Sequence, residues 1–284
     1  MTFDLTFQFF PLTVLWSIGG SMVALSALVF LPTAAIAAIG VAMIALHNAF
    51  DGVRPETFGR FADLWRILHV QAPLDHRIAG RPIFALYPLI PWIGVMAAGY
   101  GFGAIVRHPT AVVRRSVFLS LGLGMTALFV VLRWINRYGD PQPWSVQERG
   151  PAYTVLSFLN CQKYPPSLLY LLMTLGPAIA SLAVFDRGAG RLGRPLVTLG
   201  RVPLFYYLLQ WPVIHILAIA FNAIRGQPYR WLLSGGGFQA PPGYGHGLAV
   251  VYAMWIVTVL LLYVPCRRFA DLKRRRRDFW LSYF

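Results

Sequence analysis

The sequence predicts an all-α fold: a polytopic transmembrane helical bundle of about seven spans, with the N-terminus outside and the C-terminus cytoplasmic. Three observations predict it. Of the 284 residues, 57% are hydrophobic and 12% charged, against about 25% charged in soluble domains. Apolar runs close to the ~20 residues that cross a bilayer recur along the whole chain. None of them alternates with period two, as the strands of a membrane barrel would. Backbone polar groups cannot go unpaired in lipid, so such runs are expected to be helices.

The expected spans are 12–31, 33–51, 83–106, 116–134, 165–185, 196–222 and 247–265, in a single integral membrane domain over 1–284. The N-terminal "MTFDLTFQFF" has no basic segment and no small-residue cleavage site, so the first run is expected to be retained. Pro32 separates the first two spans as a tight hairpin. The second ends in "ALHNAFDG", where His47 and Asp51 stand four apart and would share a helix face. In the following loop, "FADLWRILHV" has helical apolar spacing and reads as a short interfacial or ordinary loop helix. Within 83–106, Pro88 and Pro91 each remove a backbone donor and are expected to kink the helix, and Gly99 and Gly103 form a GxxxG pair suited to close helix packing. The fourth span carries Gly122 and Gly124 and ends at Arg133, which is placed to snorkel outward. The fifth follows "NCQKYPP". In the sixth, Tyr207, Trp211 and His215 form a stripe interrupted by Pro212. The loop "SGGGFQAPPGYGHG" is rich in Gly and Pro and is expected to be mobile.

The net charge is +15. With seven alternating spans, the short loops 107–115 and 186–195 and the tail from Cys266 carry thirteen basic and three acidic residues. The other side carries eleven basic and seven acidic residues over much longer loops. The positive-inside rule makes the first side cytoplasmic. The run Lys273 to Arg277 is of a type that can bind nucleic acid, but beside a final span it reads as a topology anchor that attracts anionic headgroups. No nucleic-acid partner is expected. Cys161 and Cys266 fall at opposite lips, too far apart for a disulfide. There is no CxxC or HxxxH, so no metal is expected.

Polar residues in spans usually face an interior cavity. Alternation places His47, Asn48, Asp51, Tyr87, Trp92, Arg133, Asn160, Lys163, Tyr164 and His215 in or near the outer half of the bundle, which predicts one outward-opening basin. The competing reading is an interfacial belt of Tyr, Trp, Lys and Arg, with the histidines hydrogen-bonded in the core. At the inner side, Arg107, Arg114, Arg115, Arg191, Arg194 and Arg201 form a second group of a kind suited to phosphate. Topology-setting charge is the competing reading for all but Arg201, which lies within an apolar run.

The blocks "YPLIPWIGVMAAGYGFG", "SFLNCQKYPPSLLYLLMTLGPA" and "LGRVPLFYYLLQWPVIH", with "WSIGGSMVALSAL" and "HNAFDG", resemble bacterial membrane proteins related to the catalytic domain of heparan-alpha-glucosaminide N-acetyltransferase. The resemblance covers almost the whole chain. It implies a transmembrane acyltransferase that takes acetyl from acetyl-CoA as co-substrate and passes it to a sugar or glycan acceptor across the bilayer. On that reading His47 and Asp51 handle the proton. Asn48, Tyr87, Trp92, Asn160, Lys163, Tyr164 and His215 line the acceptor entrance, and Arg201, Tyr206 and Tyr207 hold the CoA. Family members begin with further helices that carry the histidine assigned to acetyl transfer, so the chain is expected to be an N-terminal truncation. The alternatives are a transporter or flippase of a polar solute, for which broken helices at Pro88, Pro91 and Pro212 would suit, and a non-catalytic membrane scaffold.

Overall fold

The computed structural model describes residues 9–188, 190–233, 244–276, 278, 279 and 281, without the side chains of Arg191 and Leu192. The N-terminal segment 1–8, most of the Gly- and Pro-rich loop, Arg277 and the Arg191 side chain lie outside the described residues. The chain divides into two compact units, Phe9–Gly188 and the part from Ala189 onward, and each is described by itself.

The first unit runs β1 Phe10–Leu12, α1 Val14–Leu28, α2 Thr33–Leu46 with a 3₁₀ turn His47–Phe50, a 3₁₀ segment Pro55–Phe61, α3 Ala62–Leu68, β2 Ala72–Ile78, β3 Arg81–Ala85, α4 Leu89–Val106, α5 Ala111–Ile135, α6 Pro151–Leu159 and α7 Leu168–Phe185. The second runs α8 Gly190–Gly200, α9 Pro203–Ile224, a 3₁₀ turn Arg230–Leu233 and α10 Leu248–Arg275.

Among the described residues, six stretches are long and apolar enough to cross a membrane: Thr33–Phe50, α4, α5, α7, α9 and α10. The first expected span falls short, because α1 has 15 residues and a rise of 1.5 Å each gives only ~23 Å. The six carry large apolar side chains on their outer faces, such as Val112, Trp134, Leu248 and Leu260. A water-soluble monomer rarely shows so much contiguous oil.

The fold is helical but not purely so. A three-stranded sheet, ordered β1-β3-β2, closes one end of the first unit. β2 and β3 form an antiparallel hairpin, and β1 joins β3 in parallel. Ala79 and Gly80 both have positive φ, the requirement of the tight turn that matches strand twist. Pairing is irregular between Pro73 and Arg77. The amides of Asp75 and His76 lie in that stretch, and both donate to the Asp63 carboxylate on α3, at 2.8 and 2.9 Å. Arg66 also donates to Asp63. Burial opposes the charge on Asp63, but these donors outweigh it and hold the carboxyl well below its usual range.

The sheet takes Arg81–Ala85 out of the expected third span, which begins at Leu89. Pro88 is therefore the residue before the helix and Pro91 sits in its first turn. A missing N–H costs nothing there, so neither proline breaks a helix as expected.

Helices pair through glycine, but not at the expected GxxxG. A Cβ on Gly99 or Gly103 would meet nothing within 4 Å. A Cβ on Gly40 of α2 would lie 2.4 Å from the Ala98 backbone nitrogen and 2.7 Å from the Gly94 carbonyl of α4. One on Gly101 would lie 2.5 Å from the Ala37 Cβ. In the same way, a Cβ on Gly122 of α5 would lie 2.6 and 2.4 Å from the backbone of Gly176 and Ala180 of α7, while one on Gly124 would meet nothing within 4 Å. Small residues let two backbones touch where lipid offers no hydrophobic gain.

Charge staples α5 to α7 at one end and α5 to α6 at the other. Arg114 grips the Asp186 carboxylate with two nitrogens, at 2.7 and 2.9 Å, and Arg115 adds a third bond at 2.8 Å. Bonding first from Arg114 and then from Arg115 keeps the Asp186 carboxyl below its usual range. At the other end Arg133 is 1% exposed, so it does not snorkel. It donates to the carbonyls of Phe158, Gln142 and Asn160 at 2.9 Å and of Ser157 at 3.1 Å. Three of these belong to the C-terminal end of α6, whose last carbonyls lack helical partners.

In the second unit, α9 and α10 pack through Phe205 and Phe269, stacked at 4.1 Å. The sixth expected run is split at Arg201–Val202, between α8 and α9. Pro203 opens α9, and the residue before a proline is pushed out of the helical region.

Candidate functional site

The end of α2 tightens into the 3₁₀ turn His47–Phe50. Asp51 follows this turn, near enough for its charge to bear on His47, and its Oδ1 lies 3.3 Å from Nε2 of His69, a residue missed in the sequence, which directly follows α3. His47 and His69 are both buried, at 2% and 3% exposure. Their rings meet edge-on with centroids 5.9 Å apart.

Each partner is held from outside. Trp65 lies against the His69 ring at 4.9 Å and donates its Nε1 proton to the Val53 carbonyl at 3.0 Å. Asn48 donates to Asp51 Oδ2 at 2.8 Å, and its own oxygen accepts from the Leu168 amide at 2.8 Å. Asn48 thus orients the carboxylate and ties this turn to the start of α7. His69 faces Asp51 and the His47 ring lies against the backbone of Pro166, and no further partner reaches a ring nitrogen of either among the described residues. Buried polar atoms are rarely left so, and exceptions gather where a proton or a ligand is handled.

The Asn48–Leu168 bond brings in the segment that carries Lys163 and Tyr164. The Tyr164 hydroxyl is 3.1 Å from that of Tyr87, and the two rings meet edge-on at 5.0 Å. Trp92 flanks Tyr87 at 5.9 Å, with its Nε1 buried and without a hydrogen-bond partner among the described residues. The Lys163 ammonium sits 5.1 Å from the centre of the Tyr164 ring. Burial works against the Tyr164 phenolate, but hydrogen bonding with Tyr87 and Lys163 outweighs it and lowers the phenol from its usual value.

Seven predicted residues, His47, Asn48, Asp51, Tyr87, Trp92, Lys163 and Tyr164, therefore form two side-chain clusters in the first unit, the first of them tied by Asn48 to the start of α7, just after Lys163 and Tyr164. Asn160 differs: its side chain is exposed, and its carbonyl serves Arg133. His215, Arg201, Tyr206 and Tyr207 belong to the second unit. His215 is buried within α9. Arg201 is exposed and lines a groove between α8 and α10, which Tyr206 and Tyr207 do not line. Tyr207 instead meets Trp211 at 6.1 Å. Cys161 and Cys266 are free, and no group of three metal-ligating side chains exists among the described residues.

Chemically, the first cluster offers two imidazoles that can take up a proton and a carboxylate placed to stabilise the imidazolium that results. The second offers paired hydroxyls and an indole N–H as donors, beside an ammonium. No family model, no curated protein and no solved structure matches the chain.

Proposed function

We propose that the protein is a membrane-embedded acyltransferase of the bacterial inner membrane that transfers acetyl from acetyl-CoA to an amino sugar or glycan. Its chain would cross the bilayer about seven times, α1 included, with the C-terminus cytoplasmic. The single observation that carries this reading is the buried His69–Asp51 pair beside His47. The acceptor amine attacks the thioester carbonyl; a C–N bond forms and the C–S bond breaks. His69 takes the amine proton, Asp51 steadies the imidazolium, and the proton passes on to the departing thiolate. His47 is the second station for that proton. Tyr87 and Tyr164 supply donors for the oxyanion, and Lys163 and Trp92 flank the acceptor.

The test is transfer of radiolabelled acetyl from acetyl-CoA to glucosamine by the full chain in proteoliposomes. General-base catalysis is worth about 10²–10⁴-fold, so His69→Gln and Asp51→Asn should each lower the rate at least a hundredfold without loss of folded protein. A His69→Gln rate within twofold of the parent removes the assignment. Solute uptake without acetyl-CoA consumption would favour a transporter, although that reading has lost the helix breaks at Pro88 and Pro91. Failure to bind either CoA or sugar would leave a scaffold.

A further inference from the structure

α10 has 28 residues, about 42 Å of helix at 1.5 Å per residue, against a hydrocarbon core of ~30 Å. Its excess lies at the C-terminal end, where the apolar stretch gives way to Arg267, Arg268, Lys273, Arg274 and Arg275. α8 lies against that end and leaves Leu196 and Val197 exposed, as suits a short helix lying in the headgroup layer.

Between the two helices runs a groove of about 350 Å³. Arg194, Thr198 and Arg201 line one wall, and Arg267, Asp271 and Arg274 the other. Asp271 is engaged by Arg274 at 3.1 Å. No ion pair among the described residues neutralises Arg194, Arg201 or Arg267. Guanidinium groups cannot shed their charge, so their convergence repels unless an anion joins them. Topology-setting charge needs only to lie on one side of the bilayer. It does not require arginines from two elements to line one concavity.

We infer that this groove is a phosphate-binding site. The guanidinium fork matches phosphate oxygens in pairs, and the Thr198 hydroxyl supplies a further donor. The volume is at the lower end of small-molecule sites, about 300–1,000 Å³. That suits one phosphorylated headgroup or one nucleotide moiety and is small for a whole coenzyme. The phosphate therefore comes either from an anionic lipid, whose headgroup lies at this depth, or from a soluble phosphorylated nucleotide. The inference goes beyond the acyltransferase reading and holds whether or not acetyl is transferred.

The full chain, purified in detergent, is titrated with phosphatidic acid and, separately, with adenosine 3′,5′-bisphosphate, and bound mass is read by native mass spectrometry. At least one probe should bind, and the paired change R201Q/R267Q should weaken it about tenfold or more, the scale of losing charge-assisted bonds. R275Q/R276Q removes equal charge outside the groove and should change binding less than threefold. R201K/R267K keeps the charge but not the fork and should fall between. Binding of phosphatidic acid alone identifies the lipid source, and binding of the bisphosphate the soluble one; either supports the site. The inference is overturned if neither probe binds, if R201Q/R267Q binds as the parent does, or if both glutamine pairs lose equally.

Discussion

Arg133→Met is the most demanding test of how the first unit is held together. The side chain is 1% exposed and makes four hydrogen bonds to backbone carbonyls, with Asp140 3.8 Å away. At about 1.5 kcal/mol for each bond to a charged group, simple addition gives ~6 kcal/mol. Addition overshoots, because the freed end of α6 can shift and recruit water. Removing one member of a buried charged network costs about 3–5 kcal/mol, and Arg133→Met should fall in that range. At about 2–4 °C per kcal/mol for a chain of this size, the unfolding temperature drops by roughly 6–20 °C. Tryptophan fluorescence during heating in detergent reads it. Arg133→Lys keeps the charge but cannot reach four carbonyls in one plane, so it should recover only part of the loss. A methionine variant that unfolds within 1 °C of the parent refutes the reasoning. So does a lysine variant equal to the parent, because the carbonyl bonds would then carry nothing.

Gly40→Ala and Gly122→Ala should each destabilise by about 1–3 kcal/mol, the usual cost of overpacking, whereas Gly99→Ala and Gly103→Ala should be neutral or gain up to ~1 kcal/mol of helix propensity; denaturant unfolding of the four variants decides it. Asp63 has a folded pKa below its unfolded one, so the stability it adds is present above about pH 4 and is lost as pH falls further. Asp63→Asn should flatten that acid loss in unfolding curves from pH 6 to pH 2. Burial pushes the Cys161 thiol from 9.0 to about 11. Since the thiolate is the reactive form, its iodoacetamide labelling at pH 8 should run about a hundredfold slower than that of an unshifted thiol, and should accelerate steadily up to pH 11.

Hydropathy made most of the membrane helices legible. The runs 33–51, 116–134 and 165–185 lie close to Thr33–Phe50, Ala111–Ile135 and Leu168–Phe185, because burial in lipid demands length and oil and little else. What escaped was set by contacts distant in the chain. β1 pairs with β3 across some seventy residues, so its three residues carry no local mark. The hairpin did carry one, the Ala79-Gly80 turn between short β-prone runs, but a hydrophobic count merged Ile83–Ala85 into a span. α6 is short and lies between the expected spans 116–134 and 165–185, in a stretch read as loop. Arg133 looked like a surface anchor because the sequence does not show the α6 carbonyls folding back over it. The site was half visible. His47, Asn48 and Asp51 stood in one phrase, but His69 closed a segment read as an interfacial or loop helix. Only the tertiary fold sets it against Asp51, though Trp65 four residues earlier already hinted at a shared face.

The stapling of α5 to α7 bears on how the protein can move. An arginine clamp holds the pair at one tip, the start of α7 is bonded to Gly139 and Asp140 just beyond α5 at the other, and glycines seat the two backbones against one another midway. The pair must therefore travel as a single beam, with neither sliding nor scissoring open to it. A change of shape during turnover has to be sought in the elements around this girder, and a spectroscopic ruler laid along it should read the same length in every state.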